Sequence, residues 1–254
     1  MGFFDLFKGS GKGGSGAEKN VSAAAKDAAK WAEVAGSKRA QNFDRQEALS
    51  SLAEMRTPEA AAALLRRFTF HIDPSITDQE EKDVAFHGIL AAGENAIEPI
   101  RAFAAKAESL AWPMKLLKEI VTEEAYVEEL IAWLSKWDTE YAKFIDPKTQ
   151  ILAALEEHKD ERIRAAVEPF LEDVNETARY HAVATTFAQD DPEAIPALLR
   201  VLLDEESFRV RNKIIDGFAS HGWSVPEDER DATRKVLPPG VSIDAEGRLK
   251  RRAD

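Results

Sequence analysis

The residues best suited to metal chemistry are five histidines, which are scattered along the chain. They are His71, His87, His158, His181 and His221. No two are four positions apart, the spacing that would put two ligands on one helix face, and no H-E-x-x-H motif occurs. The chain has no cysteine, which excludes disulfides, thiolate zinc sites and cysteine nucleophiles. We therefore predict no catalytic residue, no metal site and no cofactor.

A glycine-rich stretch, residues 9–16, formally matches a phosphate-binding pattern. Gly9, Gly11 and Gly14 fit G-x-G-x-x-G. A dinucleotide site also needs a preceding strand and an acidic residue about 20 positions later, and neither is present. A P-loop fails as well, because Lys12 is followed by glycine instead of serine or threonine. The composition predicts a flexible linker that separates the first eight residues from the rest.

Charge is distributed unevenly over the 254 residues, whose formal net charge is −12. Residues 43–222 carry 20 Lys/Arg against 35 Asp/Glu, whereas residues 1–42 carry seven against four. An acidic middle disfavours nucleic-acid binding, since affinity for phosphate backbones comes largely from Lys and Arg. No apolar run reaches the roughly 18 residues of a spanning helix. Together with the lack of cysteine, this predicts a cytoplasmic protein.

Helical signals dominate from residue 20 onward, and they repeat. A shift of 32 residues places Ile163 on Ile195, Phe170 on Leu202, Glu172 on Asp204 and Arg179 on Arg211. The repeating unit is one amphipathic helix, an acidic turn and a second helix that opens with arginine. Because such a pair cannot bury its apolar stripe alone, neighbouring pairs must stack into a solenoid.

Two segments carry a family resemblance. Ala194–Asp204 followed by Val210-Arg211, and Ile163–Asp173 followed by Ala178-Arg179, resemble the HEAT repeat, and residues 43–157 resemble it more loosely. The resemblance implies an all-α fold, a right-handed α-α superhelix of about six helix pairs over residues 17–237. Residues 1–16 would precede it as a peptide and linker, and residues 238–254 would follow as a C-terminal cap and basic tail. It also implies a structural ladder between repeats, formed by Glu172, Arg179, Asp204 and Arg211.

The function expected of such a surface is non-catalytic protein binding, as a scaffold or adaptor. The alternative is a HEAT-like enzyme or enzyme accessory, similar to bilin lyase subunits or to DNA glycosylases. HEAT-like deoxyhypusine hydroxylases hold iron with His-Glu pairs, but no histidine of this chain is followed by glutamate. The partner protein and the oligomeric state are not specified by the sequence.

Two aromatic segments are candidate partner contacts. In Met1–Lys8, a helix would place three phenylalanines on one face, beside a leucine. This face would dock to a protein groove, make a weak membrane contact, or have no partner. In the second segment, aromatic residues recur at spacings of 4, 4 and 3 up to Phe144; this predicts a helical stripe that is either core or a partner groove, unless Asp138-Thr139 starts a turn. The partner-binding candidates are Phe3, Phe4, Leu6, Phe7, Trp133, Trp137 and Tyr141.

Overall fold

A computed structural model describes residue 26 and residues 28–251 of the chain. This part consists of helices and one short hairpin, so the predicted all-helical class is confirmed at that level. The candidates Phe3, Phe4, Leu6 and Phe7, together with the linker at 9–16, lie outside the described residues. No helix in the described part is both long and apolar enough to span a bilayer.

The described residues form two compact units. The first comprises the chain up to Lys106 together with Trp112–Ile120, and the second comprises Ala107–Ala111 together with the chain from Val121.

Among the described residues, the first unit contains six α-helices. The first of them, α1, covers residues 28–35 of the described chain. The others are α2 (Asn42–Met55), α3 (Pro58–Leu65), α4 (Ser75–Ala92), α5 (Ile97–Ala104) and α6 (Ala111–Ile120). Short 3-10 helices at Arg66–Thr69 and Gly93–Ala96 follow α3 and α4. Helix α2 packs on α4, and α3 packs on α5, so helices two apart in the chain are neighbours.

The second unit continues with α7 (Glu123–Leu134), α8 (Asp146–Leu155), α9 (Glu161–Val167), α10 (Glu176–Gln189), α11 (Ile195–Asp204), α12 (Phe208–His221) and α13 (Arg230–Val236). Strands β1 (Val241–Ile243) and β2 (Leu249–Arg251) pair antiparallel, with Ser242 opposite Lys250. Helix α10 packs between α8 and α12, and α11 packs on α13. We call α7, α9 and α11 first helices, α8, α10 and α12 second helices, and the connections between them intra-pair loops.

Helix starts follow local chemistry at several positions. Thr57 caps α3 by accepting a hydrogen bond from the Ala60 amide, with Pro58 at the first helical position. Asn175 and Ser207 cap α10 and α12 in the same way, at positions 32 apart. The caps of α10 and α12 therefore recur at the same spacing as the sequence repeat.

Close approach between helices two apart depends on glycine in both units. A Cβ added at Gly88 of α4 would lie 2.6 Å from the Ala53 Cβ of α2. A Cβ added at Gly217 of α12 would lie 2.2 Å from the Phe187 ring of α10. Both distances are too short for van der Waals contact, so a side chain at either position would push the two helices apart.

The first unit buries a cluster of charged side chains, which we call the ionic cluster. Glu81 accepts hydrogen bonds from Arg45 Nε and Arg67 Nε, each at 2.7 Å. Asp78 accepts from Arg67 Nη2 at 2.8 Å and from Lys82 Nζ at 2.6 Å. All five residues are buried. Buried ion pairs therefore link α2, α4 and the turn after α3 inside the unit.

Candidate binding site at the intra-pair loops

The predicted aromatic stripe is divided by a helix end. Helix α7 stops at Leu134, and residues 135–145 form an intra-pair loop that we call the aromatic loop. The Asp138 carboxylate accepts the Glu140 amide at 3.1 Å, a local turn that competes with helix continuation. The turn alternative at Asp138-Thr139 is therefore the one observed.

The aromatic side chains consequently have different surroundings. Trp133 lies in α7 and is buried, so it belongs to the core. Trp137 is half-buried, Phe144 is 42% exposed and Tyr141 is 83% exposed. Trp137, Tyr141 and Phe144 line a concavity of about 340 Å³ together with Lys136 and Asp138. Of the predicted aromatic contacts, the loop thus presents Tyr141 and part of Trp137 to solvent.

A buried lysine fixes this loop. Lys148 of α8 is fully buried, and its Nζ donates to the carbonyl oxygens of Asp138 at 3.0 Å and Glu140 at 3.4 Å. The same Nζ lies 2.5 Å from the Asp173 Oδ2, which is also buried. One ammonium group therefore ties the aromatic loop to the next intra-pair loop, with all three donors used.

The next second helix repeats this arrangement. Arg179 of α10 donates to the Asp173 carbonyl at 2.8 Å, and its Nε and Nη2 bind the Glu205 carboxylate at 2.7 and 2.8 Å. Burial by itself would raise the pKa of Glu205, but hydrogen bonds from Arg179 and from the Ser207 amide lower it below its ordinary value. The hydrogen bond to Glu205 also stabilises the charged form of Arg179, and so raises the pKa of Arg179 above its ordinary value. This pair is therefore charged throughout the neutral range.

The predicted ladder differs from these contacts by one residue. Glu172 pairs instead with Arg200 at the surface, at 2.8 Å, and both side chains are more than half exposed. Asp173 and Glu205 have extended backbone after the first helix, and this turns their side chains toward the following second helix. Arg211 donates to the Val236 carbonyl at 3.1 Å instead of binding an acid.

An acidic cleft of about 430 Å³ opens between the loops that follow α9 and α11. Arg179 and Arg200 line it together with five carboxylates, those of Glu172, Asp173, Asp204, Glu205 and Glu206. Glu172, Asp173 and Glu205 are paired with cations. The exposed carboxylates of Asp204 and Glu206 make no hydrogen bond or ion pair with any residue that the structure describes. The acidic cleft consequently carries negative charge in excess.

The aromatic loop and the acidic cleft are adjacent. The Val174 amide donates to the Thr139 carbonyl of the loop at 3.0 Å. The preceding residue, Asp173, lines the cleft. Val174 itself is 58% exposed, so an apolar side chain lies where the two features meet.

The described histidines have different surroundings. His158 is buried, and its Nδ1 lies 3.1 Å from the Glu123 carboxylate. His71 contacts Asp78 at 3.3 Å, beside the ionic cluster. Across residue 26 and residues 28–251, no three histidine or acidic side chains converge as ligands for a metal ion.

Sequence reasoning missed Lys148, Asp173 and Glu205. A usable signal existed, since Lys148 precedes Arg179 by 31 residues and Asp173 precedes Glu205 by 32. A shift of 32 aligns Asp173 with Glu205, whereas it places Lys148 on Tyr180, so the two cations align only at a shift of 31. The sequence matches no protein-family model, and a comparison with curated proteins gives no significant match.

Proposed function

We propose that this protein is a non-catalytic scaffold or adaptor that binds a partner protein. The proposed architecture is a HEAT-like, right-handed superhelix of about six helix pairs. Within the second unit, two observations support it. Second helices pack on second helices, and ion pairs that join neighbouring intra-pair loops recur after 31 or 32 residues. A cytoplasmic location is part of the proposal.

The observation that carries the proposal is the exposed Tyr141 on a loop whose backbone is held by the buried Lys148. Aromatic side chains on ordered loops are favoured partner contacts, because little conformational entropy is lost when they are covered. Lys148 supplies that order by holding two loop carbonyls. An exposed aromatic residue on an unanchored loop would lose more entropy on binding and would be a weaker anchor.

The experiment is affinity capture with the full chain and with Tyr141→Ser, followed by quantitative mass spectrometry. We expect the captured partner to fall at least tenfold with this variant, as is typical of a hot-spot aromatic. Phe43→Ser is the matched control, because Phe43 is 75% exposed and lies in the first unit. Both variants should keep the wild-type melting temperature, since neither side chain is buried.

Two outcomes would contradict the proposal. Equal recovery of every protein by the wild type and by Tyr141→Ser would remove the aromatic loop as the contact. A turnover or a tightly bound small molecule found with the purified chain would favour the enzyme alternative. A chain that lacks residues 1–16, run in parallel, tests the contribution of Phe3, Phe4, Leu6 and Phe7.

A further inference from the structure

We infer that the aromatic loop and the acidic cleft form one docking surface, and that its ligand is a partner segment with an apolar side chain close to a lysine or arginine. This inference rests on the proposed function and specifies the chemistry of the partner. The apolar side chain would contact Tyr141 and Val174. The cation would lie in the acidic cleft, against Asp204 and Glu206.

Continuity of the surface is the first support. The hydrogen bond between the Val174 amide and the Thr139 carbonyl joins the two features directly. Lys148 joins them a second time, through the Asp138 carbonyl and the Asp173 carboxylate. The backbone between the two concavities is therefore fixed by these hydrogen bonds, and a ligand segment would cross it from one concavity to the other.

Charge complementarity decides which residue the cleft would accept. Both cleft arginines are already engaged, Arg179 by Glu205 and Arg200 by Glu172. The free charges are the carboxylates of Asp204 and Glu206, so an incoming cation gains attraction while an incoming phosphate or carboxylate meets repulsion. The cleft therefore favours a lysine or arginine side chain over a phosphate group.

Each concavity is large enough to receive an amino-acid side chain. At about 340 and 430 Å³, both are at the lower end of the range for small-molecule pockets. Both are open to solvent. Tyr141 lines the first and is 83% exposed, and Val174, which is 58% exposed, follows the cleft residue Asp173 in the chain. An extended segment that inserts one side chain into each matches this arrangement.

The test is a selection of random 16-residue peptides, displayed on phage, against the immobilised full chain. Selected peptides are then synthesised, and their binding is measured by fluorescence anisotropy at 50 and 300 mM NaCl. We expect an aromatic or aliphatic residue within a few positions of Lys or Arg. The double variant Asp204→Asn/Glu206→Gln should weaken binding about tenfold at 50 mM NaCl and flatten the salt dependence.

The matched control is Glu227→Gln/Asp228→Asn, which removes the same charge from exposed positions of the second unit outside the cleft. It should bind like the wild type. Selected peptides that lack Lys and Arg, or that bind the Asp204/Glu206 variant normally while needing Tyr141, would overturn this inference and leave the proposed function intact. Peptides that bind Tyr141→Ser as tightly as the wild type would overturn both.

Discussion

The two units bury charged side chains in different ways. In the first, Arg45, Arg67 and Lys82 share the two carboxylates of Asp78 and Glu81, and each carboxylate binds two of these cations. In the second, the buried Lys148 and the partly buried Arg179 each bind one carboxylate from the following repeat and use their other donors on loop carbonyls. The first arrangement is a cluster and the second is a series of separate bridges.

This difference has a functional meaning. The cluster also binds backbone, through the Ala40 and Phe70 carbonyls, but it gathers its five charges at one place between α2, α4 and the turn after α3. A bridge that also holds carbonyl groups fixes the backbone of an intra-pair loop, and the Lys148 bridge does so under the exposed Tyr141. The bridges therefore combine repeat-to-repeat stability with the positioning of a contact surface.

The largest expected effect comes from Glu81→Leu. It leaves Arg45 and Arg67 buried without their shared carboxylate, and unpaired buried charge of this kind costs about 5 kcal/mol. We expect the first unit to unfold or to lose most of its protection in hydrogen exchange, with the effect largest in α2 and α4. Glu80→Gln, at the exposed neighbouring position, is the control and should change stability by less than about 0.5 kcal/mol. Normal protection of α2 in Glu81→Leu would show that the cluster does not hold these helices.

Lys148→Met should have the second-largest effect, about 3 kcal/mol. The methionine fills the space of the lysine stem but leaves the buried Asp173 without a cation and two loop carbonyls without a donor. Chemical denaturation measures the loss, and hydrogen exchange at the Val174 amide reports on the aromatic loop. Lys159→Met, at an exposed position, should be neutral. Retained protection at Val174 would mean that the bridge does not order the loop.

Acid should weaken the cluster through Asp78. Burial alone would raise the pKa of Asp78, but hydrogen bonds from Lys82, Arg67 and the Ile72 amide bring it well below its ordinary value. A lowered folded-state pKa contributes stability above the unfolded pKa near 4, and that stability is lost as the pH falls through the folded-state value. Asp78→Asn should therefore be about 2 kcal/mol less stable at pH 7 and show a flatter pH dependence below pH 5. Urea unfolding between pH 7 and pH 3 measures both, and equal slopes for the two proteins would refute the assignment.

The smallest effect is expected for Glu172→Gln. Its partner Arg200 is 58% exposed, and exposed pairs contribute below about 0.5 kcal/mol. Glu205→Gln, one residue after the aligned Asp204, breaks the partly buried bridge to Arg179 and should lower the free energy of unfolding clearly more in the same denaturation assay. If the two substitutions were equal, the distinction between surface pairs and bridges would have no energetic basis.

Sequence reasoning reached the helical class because apolar spacing and helix caps are local signals. The repeat shift of 32 residues matches the observed caps at Asn175 and Ser207. The bridging acids were placed at Glu172 and Asp204, one residue early, because aligned acids cannot reveal which backbone is extended at the helix end. That direction depends on the ψ angles of Asp173 and Glu205, which are near 143° and 127°.

The aromatic loop was predicted only as an alternative, in the form of a turn at Asp138-Thr139. Spacings of 4, 4 and 3 are correct for a helix face, but helix α7 ends before Trp137. The local turn at Asp138 and the long-range bonds from Lys148 hold the backbone in another path. Exposure of Tyr141 follows from tertiary contacts, and periodicity contains no information about those.

The order of the bridging residues along the chain also has a consequence for synthesis. Lys148 precedes Asp173 by 25 residues, and Arg179 precedes Glu205 by 26. A ribosome that adds about 5–20 residues per second therefore delivers each cation roughly 1–5 s before its carboxylate. During that interval the newly made second helix carries a cation that has no carboxylate to pair with. Each helix pair can therefore complete its packing only after the loop of the following pair has been synthesised.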